Sequence, residues 1–234
     1  MAAAACGTSS LSSTATDLDA QAPDAGASDA GASSDGLDGP EVYVPPCDDP
    51  LRTGVQEQDL YDCEVMASVA TVVEPDPMMF KAMIGASSAF NVFAVSPDSP
   101  CGIRPGWTSD ESKSFGLLQL TPACGFLKSA LLPDGHPNLT MDMQSPLWAT
   151  SVFEPGVNLL EGVRAIHLSR QQATTAFPGC TESQFTLMAV GMFFQGQSAI
   201  LGCGMMSPAA ENAVAVVLRS YAPLARQAGW PYPY

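Results

Sequence analysis

Positive charge is scarce in this chain. Of its 234 residues, nine are Lys or Arg and 24 are Asp or Glu, which gives a formal net charge of −15. Nine of the acidic residues precede Arg52, the first basic residue, so much of the excess negative charge belongs to the N-terminal segment. A protein that binds nucleic acid needs a basic footprint to neutralise phosphates, and the sequence offers none. We therefore expect no nucleic-acid partner.

Long apolar runs and metal-ligand motifs are also missing. No stretch reaches the roughly 18 consecutive apolar residues that a membrane-spanning helix needs. No Cys-x-x-Cys pair occurs, and the two histidines, His136 and His167, have no Cys or carboxylate at ligand spacing. We predict no metal site and no cofactor, and we interpret His167 as a packing or surface residue.

The seven cysteines favour disulfide bonds. Cys6 lies near the N-terminus, and the other six are widely spaced, at Cys47, Cys63, Cys101, Cys124, Cys180 and Cys203. Such spacing is typical of disulfides formed in an oxidising compartment, and it predicts three bridges. Six cysteines can pair in about 15 ways, so the sequence leaves the pairing open. The alternative is a cytosolic protein with buried free thiols.

Residues 1–40 have the composition of a disordered tether. They are nearly all Ala, Ser, Gly, Asp, Thr and Pro, with too little apolar surface to offset the entropy of an ordered chain. The start, Met1–Gly7, resembles the end of a lipoprotein signal without its basic and apolar parts. It is interpreted either as a trimmed remnant, in which Cys6 is a lipid anchor, or as an ordinary alanine-rich start. An extracytoplasmic protein, periplasmic or secreted, is the localisation that we expect.

Residues 41–234 are predicted to form one mostly α-helical domain. Apolar residues at helical spacing predict helices over Gln58–Val73, Met78–Ala89, Ser183–Ile200 and from Pro208 to about Ala222. Asp76 is the candidate N-cap of the second of these helices. The last six residues are too rich in proline for a helix, and we expect their aromatic side chains to pack back on the domain.

Three motifs follow one another in the middle of the chain. They are Ser87-Ser88-Ala89-Phe90-Asn91, Ala94-Val95-Ser96 and Ser114-Phe115-Gly116-Leu117-Leu118-Gln119-Leu120-Thr121-Pro122. Their order and spacing resemble the soluble lytic transglycosylase and goose-type lysozyme family, and Pro155, Asn158 and Gly162 resemble that family's Pro-x-x-Asn-Ile-x-x-Gly helix. The resemblance implies a lysozyme-like helical domain with a glycan-binding cleft, and peptidoglycan glycan strands as the partner.

Two departures from the family pattern concern the catalytic groups. Ser87 stands where the family has its catalytic glutamate, and Phe193-Phe194-Gln195-Gly196 stands where it has Tyr-Asn-x-Gly. Glycoside cleavage needs a positioned general acid, which a serine hydroxyl cannot replace near neutral pH. The resemblance therefore implies a glycan-binding protein without catalysis. The substrate-binding residues that it implies are Ser88, Ser96, Ser114, Gly116, Gln119, Phe193, Phe194 and Gln195.

Two alternatives stay open from the sequence. In the first, the protein is an active lytic transglycosylase whose acid is displaced to Glu111 or Asp98, in an insertion that would lie at the mouth of the cleft. In the second, it is a structural or interaction protein whose groove is filled by Phe193 and Phe194. A peptidoglycan turnover assay separates the first alternative from a non-catalytic protein.

Overall fold

The chain is described by a computed structural model over residues 47, 49–72, 76–98 and 100–234. The helices are α1 Gln56–Asp59, α2 Asp62–Val69, α3 Pro77–Ser88, α4 Pro155–Ala176, α5 Glu182–Gln195 and α6 Pro208–Ala228, and the strands β1 Ile200–Gly202 and β2 Met205–Met206 form an antiparallel hairpin. The predicted mostly α class is thereby confirmed. No helix in these ranges has both the length and the apolar character needed to cross a bilayer. The predictions for residues 1–40 and Cys6 lie outside the described residues, as does the boundary at residue 41.

Helix α3 lies at the centre of the packing. Its residues from Met78 to Ile84 are all buried, and it packs against α2 and α6, while α4 packs against α2 and α5. The helix begins as predicted, because Asp76 Oδ1 accepts hydrogen bonds from the N–H groups of Met78 at 2.9 Å and Met79 at 3.4 Å. Pro77 occupies the first helical position, where its missing N–H costs nothing.

A buried charge cluster fixes the N-terminal part of the domain to α3. The Lys81 side chain is completely buried, and its ammonium donates to the carbonyl O of Leu51 at 2.8 Å. It also donates to Asp59 Oδ1 at 2.7 Å and to Asp62 Oδ2 at 2.6 Å. Asp59 in α1 and Asp62 in α2 are themselves buried. Paired burial of this kind is the usual condition for charged groups inside a protein.

The prediction of a single helix over residues 58–73 is wrong, because the chain forms two short helices there. The break falls at Leu60 and Tyr61, between α1 and α2. Both acidic residues that flank the break point their carboxylates at Lys81, 19 and 22 residues further along the chain. Contacts with a distant residue therefore decide the backbone path, and the local apolar spacing could not show them.

The three predicted disulfides are confirmed. They join Cys47 to Cys63, Cys101 to Cys124, and Cys180 to Cys203, and the alternative of six free thiols is wrong. Three bridges in one domain are typical of proteins that fold in an oxidising compartment, such as extracellular proteins.

Helices α5 and α6 end at other places than expected. α5 stops at Gln195, not at Ile200, because Gly196 adopts a φ of +79° that a continuing helix does not allow. α6 runs on to Ala228, beyond the expected end near residue 222, and it includes Pro223. This proline is exposed, so the helix tolerates it on its solvent side.

The aromatic C-terminal residues pack back on the domain, as predicted. The ring of Tyr234 meets that of Tyr221 edge-on, with centroids 5.4 Å apart. Tyr221 Oη donates to Asp76 Oδ2 at 2.8 Å, and Tyr234 Oη donates to the same oxygen at 3.3 Å. Burial and the charge of Asp76 raise the pKa of both phenols, so both stay protonated and serve as donors. The same carboxylate thus caps α3 with one oxygen and holds the C-terminal segment with the other.

Candidate functional site

The last turn of α3 carries Ser87, at the position that the resemblance assigns to the catalytic glutamate, and its neighbour Ser88. Ser87 Oγ is buried and has no hydrogen-bond partner among the described residues. Ser88 Oγ donates back to the carbonyl O of Ile84 at 3.1 Å. Ala89 and Phe90 follow with φ values of +50° and +64°, which end the helix. Without a base in hydrogen-bond contact, the Ser87 hydroxyl is neither an activated nucleophile nor a general acid.

Two of the motifs pair with each other shortly after α3. The N–H of Ser96 donates to the carbonyl O of Ser114 at 3.0 Å, and the N–H of Gly116 donates to the carbonyl O of Ala94 at 3.0 Å. Side chains reinforce this pairing, because Ser96 Oγ accepts from the N–H of Ser114 at 3.1 Å and Ser114 Oγ lies 2.6 Å from Thr121 Oγ1. We call residues 94–96 and 114–121 the paired unit.

Gln119 holds the turn inside the paired unit. Its φ is +52°, and its Nε2 donates to the carbonyl oxygens of Ala94 at 3.0 Å and Gly116 at 2.9 Å. The side chain is only partly buried, and its Oε1 accepts no hydrogen bond from the described residues. Gln119 therefore shapes the backbone with the nitrogen of its amide.

Asn158 of α4 fastens the paired unit to the helical core. Its Oδ1 accepts from the N–H of Leu118 at 2.9 Å, and its Nδ2 donates to the carbonyl O of Phe115 at 2.9 Å. Gly116, with a φ of +73°, must remain a glycine, since a Cβ there would lie 2.5 Å from Asn158 Nδ2. Asn158 is fully buried, so this amide serves the architecture of the site.

Gly162 lies one helical turn beyond Asn158, and the side chain of Leu118 packs directly against it. A Cβ at Gly162 would lie 2.2 Å from Leu118 Cδ1, so only a glycine allows this close approach of α4 to the paired unit. Residues four apart share one face of a helix. The sequence signal for this contact was the four-residue spacing of Asn158 and Gly162.

Phe193, Phe194 and Gln195 occupy the last turn of α5. The rings of Phe193 and Phe194 meet edge to face at 5.1 Å, and Phe126 lies 6.3 Å from Phe193. All three α5 side chains are half-buried. In the part of the chain that the structure describes, no hydrogen bond joins them to Ser87. The structure thus unites Ser96, Ser114, Gly116 and Gln119 in one unit, with Ser87–Ser88 and residues 193–195 at two separate helix ends.

A row of aromatic rings beside the paired unit was missed from the sequence. Trp148 lies 6.0 Å from Phe93, Phe93 lies 5.8 Å from Phe153, and Phe153 lies 5.6 Å from Phe115 of the paired unit. Phe115 and Phe153 are buried, whereas Phe93 and Trp148 are partly exposed. These residues are far apart in sequence, so no short pattern could reveal the row. Its exposed end offers an apolar face next to the candidate site.

The two carboxylates considered as displaced acids differ in their surroundings. Hydrogen bonds from the Thr108 backbone N–H first, and then from the Thr108 hydroxyl and His136, lower the pKa of Glu111 below its usual range, although burial opposes them. Glu111 is therefore ionised near neutral pH, which does not suit a general acid. Asp98 is exposed, and its carbonyl O accepts from Ser96 Oγ at 2.6 Å.

His167 lies away from these residues, on α4. Its Nε2 is 2.9 Å from Gln171 Nε2, and its Nδ1 is buried without a hydrogen-bond partner in the described residues. It lines a cavity of about 10 Å³ together with Asp76 and Arg170, which is room for one water molecule. Across residues 49–72, 76–98 and 100–234, no three His, Cys, Asp or Glu side chains are grouped to hold a metal ion.

Comparisons with protein-family models, with curated proteins and with solved structures found no match for this chain.

Proposed function

We propose that this protein binds the glycan strands of peptidoglycan without cleaving them, as a non-catalytic relative of lytic transglycosylases. The observation that carries the proposal is the paired unit. Its two segments, residues 94–96 and 114–121, and the Asn158 helix that holds them are motifs on which the resemblance rests, and they interlock through the side chains of Asn158 and Gln119. Motifs that are distant in sequence are thus in contact in the structure. This supports the proposal that the motif pattern is shared with lytic transglycosylases.

The surface beside the paired unit suits a sugar chain. Sugar rings present apolar C–H faces and hydroxyl groups, so a protein binds them with partly exposed aromatic rings and with hydrogen-bonding groups nearby. Trp148 and Phe93 supply such rings, and Gln119 Oε1 supplies an acceptor. At the end of α5, Phe194 and Gln195 offer a second half-buried pair of this type.

The absence of catalysis in the proposal rests on Ser87. Glycoside cleavage in the family requires one carboxylic acid to protonate the leaving oxygen, and its removal costs roughly 10² to 10⁴ in rate. The serine in its place has no partner that could activate it among the described residues. Glu111, one of the two carboxylates considered as a displaced acid, is held ionised by Thr108 and His136.

Three disulfides support an extracytoplasmic location for this function. Peptidoglycan lies in the same compartment, so the partner and the oxidised fold agree. We place the protein in the periplasm or outside the cell, with Cys6 as its lipid anchor in the tethered form.

Co-sedimentation with purified insoluble peptidoglycan tests the proposal. The wild-type protein should sediment with the sacculi and release no anhydro-muropeptides. Trp148→Ala should weaken the binding by about tenfold, the effect of losing one aromatic contact. Tyr232→Ala is the matched control, since this ring is also accessible to solvent but lies against Tyr221, with centroids 5.5 Å apart. A wild-type protein that stays in the supernatant, or that releases muropeptides, contradicts the proposal.

One observation favours a second candidate, an interaction protein with a filled groove. The Ser87 hydroxyl in the last turn of α3 is buried, and the aromatic side chains of Phe126, Phe193 and Phe194 are partly buried against the core. In that case, the wild-type protein would fail to sediment with peptidoglycan, and the conservative change Phe194→Leu would leave this result unaltered.

A further inference from the structure

A tight turn in the insertion loop brings an arginine over an indole ring. The turn is Arg104-Pro105-Gly106-Trp107, closed by a hydrogen bond from the N–H of Trp107 to the carbonyl O of Arg104 at 2.9 Å. Proline at the second position and a glycine with a φ of +87° at the third are the residues of a type II turn. The guanidinium Cζ of Arg104 lies 4.6 Å from the centre of the Trp107 ring, a cation–π contact.

A chain of contacts holds this turn in place. Trp107 stacks on the ring of His136 at 6.3 Å, and His136 Nδ1 lies 2.8 Å from Glu111 Oε1. The backbone N–H of Arg104 donates to Ser112 Oγ at 3.2 Å, and Ser112 is completely buried. The arginine stem therefore starts from a fixed backbone and lies on a supported ring, which reduces the entropy that its guanidinium loses on binding.

The loop is also joined to the rest of the domain by covalent and backbone contacts. The Cys101–Cys124 disulfide ties its start to the segment that follows the paired unit. A short 3₁₀ turn, Asp110–Ser112, packs against a second one, Pro122–Cys124. The loop then leads through Lys113 into Ser114, so the turn lies on the same piece of chain as the candidate site.

The guanidinium of Arg104 has no carboxylate partner in the part of the chain that the structure describes. The nearby acidic groups are engaged elsewhere: Asp110 with Lys113 at 2.8 Å, and Glu111 with Thr108 and His136. The Arg104 side chain is exposed to solvent. The turn presents a pre-positioned cation whose hydrogen-bond donors are open to solvent.

The stack itself excludes one kind of ligand. Arg104 lies over the indole at 4.6 Å and His136 stacks against the same ring at 6.3 Å, so Trp107 is already engaged by two side chains and is a poor platform for a sugar ring. The guanidinium edge remains, and its parallel N–H groups match a carboxylate in a two-pronged hydrogen bond.

We propose that Arg104 is a carboxylate-binding subsite, and that its ligand is the acidic peptide stem carried by a peptidoglycan strand. The identity of the ligand rests on the proposed function, whereas the preference for a carboxylate rests on the turn alone. The subsite adds recognition of the peptide to recognition of the glycan by the surface beside the paired unit.

Calorimetric titrations with two probes test the inference, a disaccharide–tetrapeptide muropeptide and the neutral oligosaccharide chitotetraose. Arg104→Gln should weaken muropeptide binding about fivefold to tenfold, as expected for one charge-assisted pair, and leave chitotetraose binding unchanged. Arg104→Lys should recover part of the affinity, because it restores the charge without the two-pronged geometry. The matched control is Arg226→Gln, an exposed arginine near the end of α6.

The outcomes separate this inference from the proposed function. If Arg104→Gln binds the muropeptide as tightly as the wild type does, the proposal of a carboxylate subsite is wrong. The glycan-binding proposal is then judged by the binding of chitotetraose alone. If neither probe binds the wild type, the free stem tetrapeptide is titrated into the protein, and the chemical shift of the Trp107 indole N–H is followed by NMR. A shift that disappears in Arg104→Gln retains the carboxylate subsite without glycan binding, and an unmoved signal overturns it.

Discussion

The ammonium nitrogen of Lys81 lies 2.6 Å from Asp62 Oδ2, and the two side chains are 0% and 1% exposed to solvent. Asp59 and the carbonyl O of Leu51 take the other two hydrogens of the ammonium, at 2.7 and 2.8 Å. Two carboxylates face a single cation in this cluster. Its formal charge is therefore −1 when both are ionised, which a low-dielectric interior opposes.

Replacing the cation should strongly destabilise the domain. Lys81→Met leaves Asp59 and Asp62 buried without their positive partner, and loss of one member of such a cluster costs roughly 3–5 kcal/mol. Lys113→Met is the control, because Lys113 pairs with an exposed Asp110 at the same kind of distance, 2.8 Å, and exposed pairs contribute about 0–1 kcal/mol. Urea unfolding measures both. Equal midpoints for the two variants would contradict the structural role of Lys81.

The same cluster should make stability depend on pH. Burial raises the pKa of Asp62 to about 7, with Lys81 opposing the rise and the charges of Asp49 and Asp59 adding to it. In the unfolded chain, an aspartate titrates near ~3.9, so folding takes up a proton between these two values. Stability should therefore fall as the pH rises from about 4 to about 7 and level off above this range.

Asp62→Asn tests this pH dependence, because the amide resembles the protonated carboxyl at every pH. Thermal midpoints of the variant, measured from about pH 5 to pH 8, should decline less than those of the wild type. Burial raises the pKa of Asp59 too, but hydrogen bonds from Lys81 and Thr53 outweigh it and hold the pKa below its usual range. Its contribution is lost only at lower pH and leaves this window untouched. Asp110→Asn, at an exposed pair, should retain the wild-type slope.

A glycine pair tests the architecture of the paired unit. Gly116 and Gly102 have nearly the same φ, +73° and +72°, but only a Cβ at Gly116 would meet another group, Asn158 Nδ2 at 2.5 Å. Gly102→Ala should therefore cost about 1 kcal/mol for the positive φ alone. Gly116→Ala should cost roughly 2 kcal/mol more, because Asn158 must move. Equal losses in chemical denaturation would show that the Asn158 contact does not constrain the unit.

The sequence predicted the parts of this fold that depend on near neighbours. Asp76 caps α3 by contacting residues two and three positions away, and proline and glycine mark local chain breaks. The helix that contains Ser87 could be predicted from its apolar spacing and its N-cap. The number of disulfides could be predicted from the number and spacing of the cysteines.

The rest of the fold depends on partners far along the chain. Lys81 sits in an apolar helix, and only the carboxylates 19 and 22 residues earlier explain why it can be buried. Asn158 bonds Leu118, 40 residues away, inside the candidate site. A charged or amide side chain in an apolar run gives no indication of its partner, so neither the cluster nor the role of Asn158 could be predicted.

Introducing the polar groups that lytic transglycosylases carry should create activity only when they act together, if the proposed relationship holds. Ser87→Glu alone should give little muropeptide release, because Phe193 and Phe194 stand where lytic transglycosylases have the Tyr and Asn that accompany their catalytic acid. Combining it with Phe193→Tyr and Phe194→Asn should give a larger, non-additive gain, as cooperating catalytic groups do. The matched control is the double variant Phe193→Tyr, Phe194→Asn, which should stay inactive. A triple variant with no release from purified peptidoglycan would contradict the assignment of Ser87 to the acid position.

The six bridged cysteines are joined strictly in chain order, each to the next one along the sequence. No bridge encloses or crosses another, and each closes a stretch of only 16 or 23 residues. An oxidase that meets the chain from its N-terminal end can therefore make every one of these native bonds before the next pair has emerged. The domain needs no later exchange of partners between these bridges, and its maturation from Cys47 onward can proceed without a disulfide isomerase.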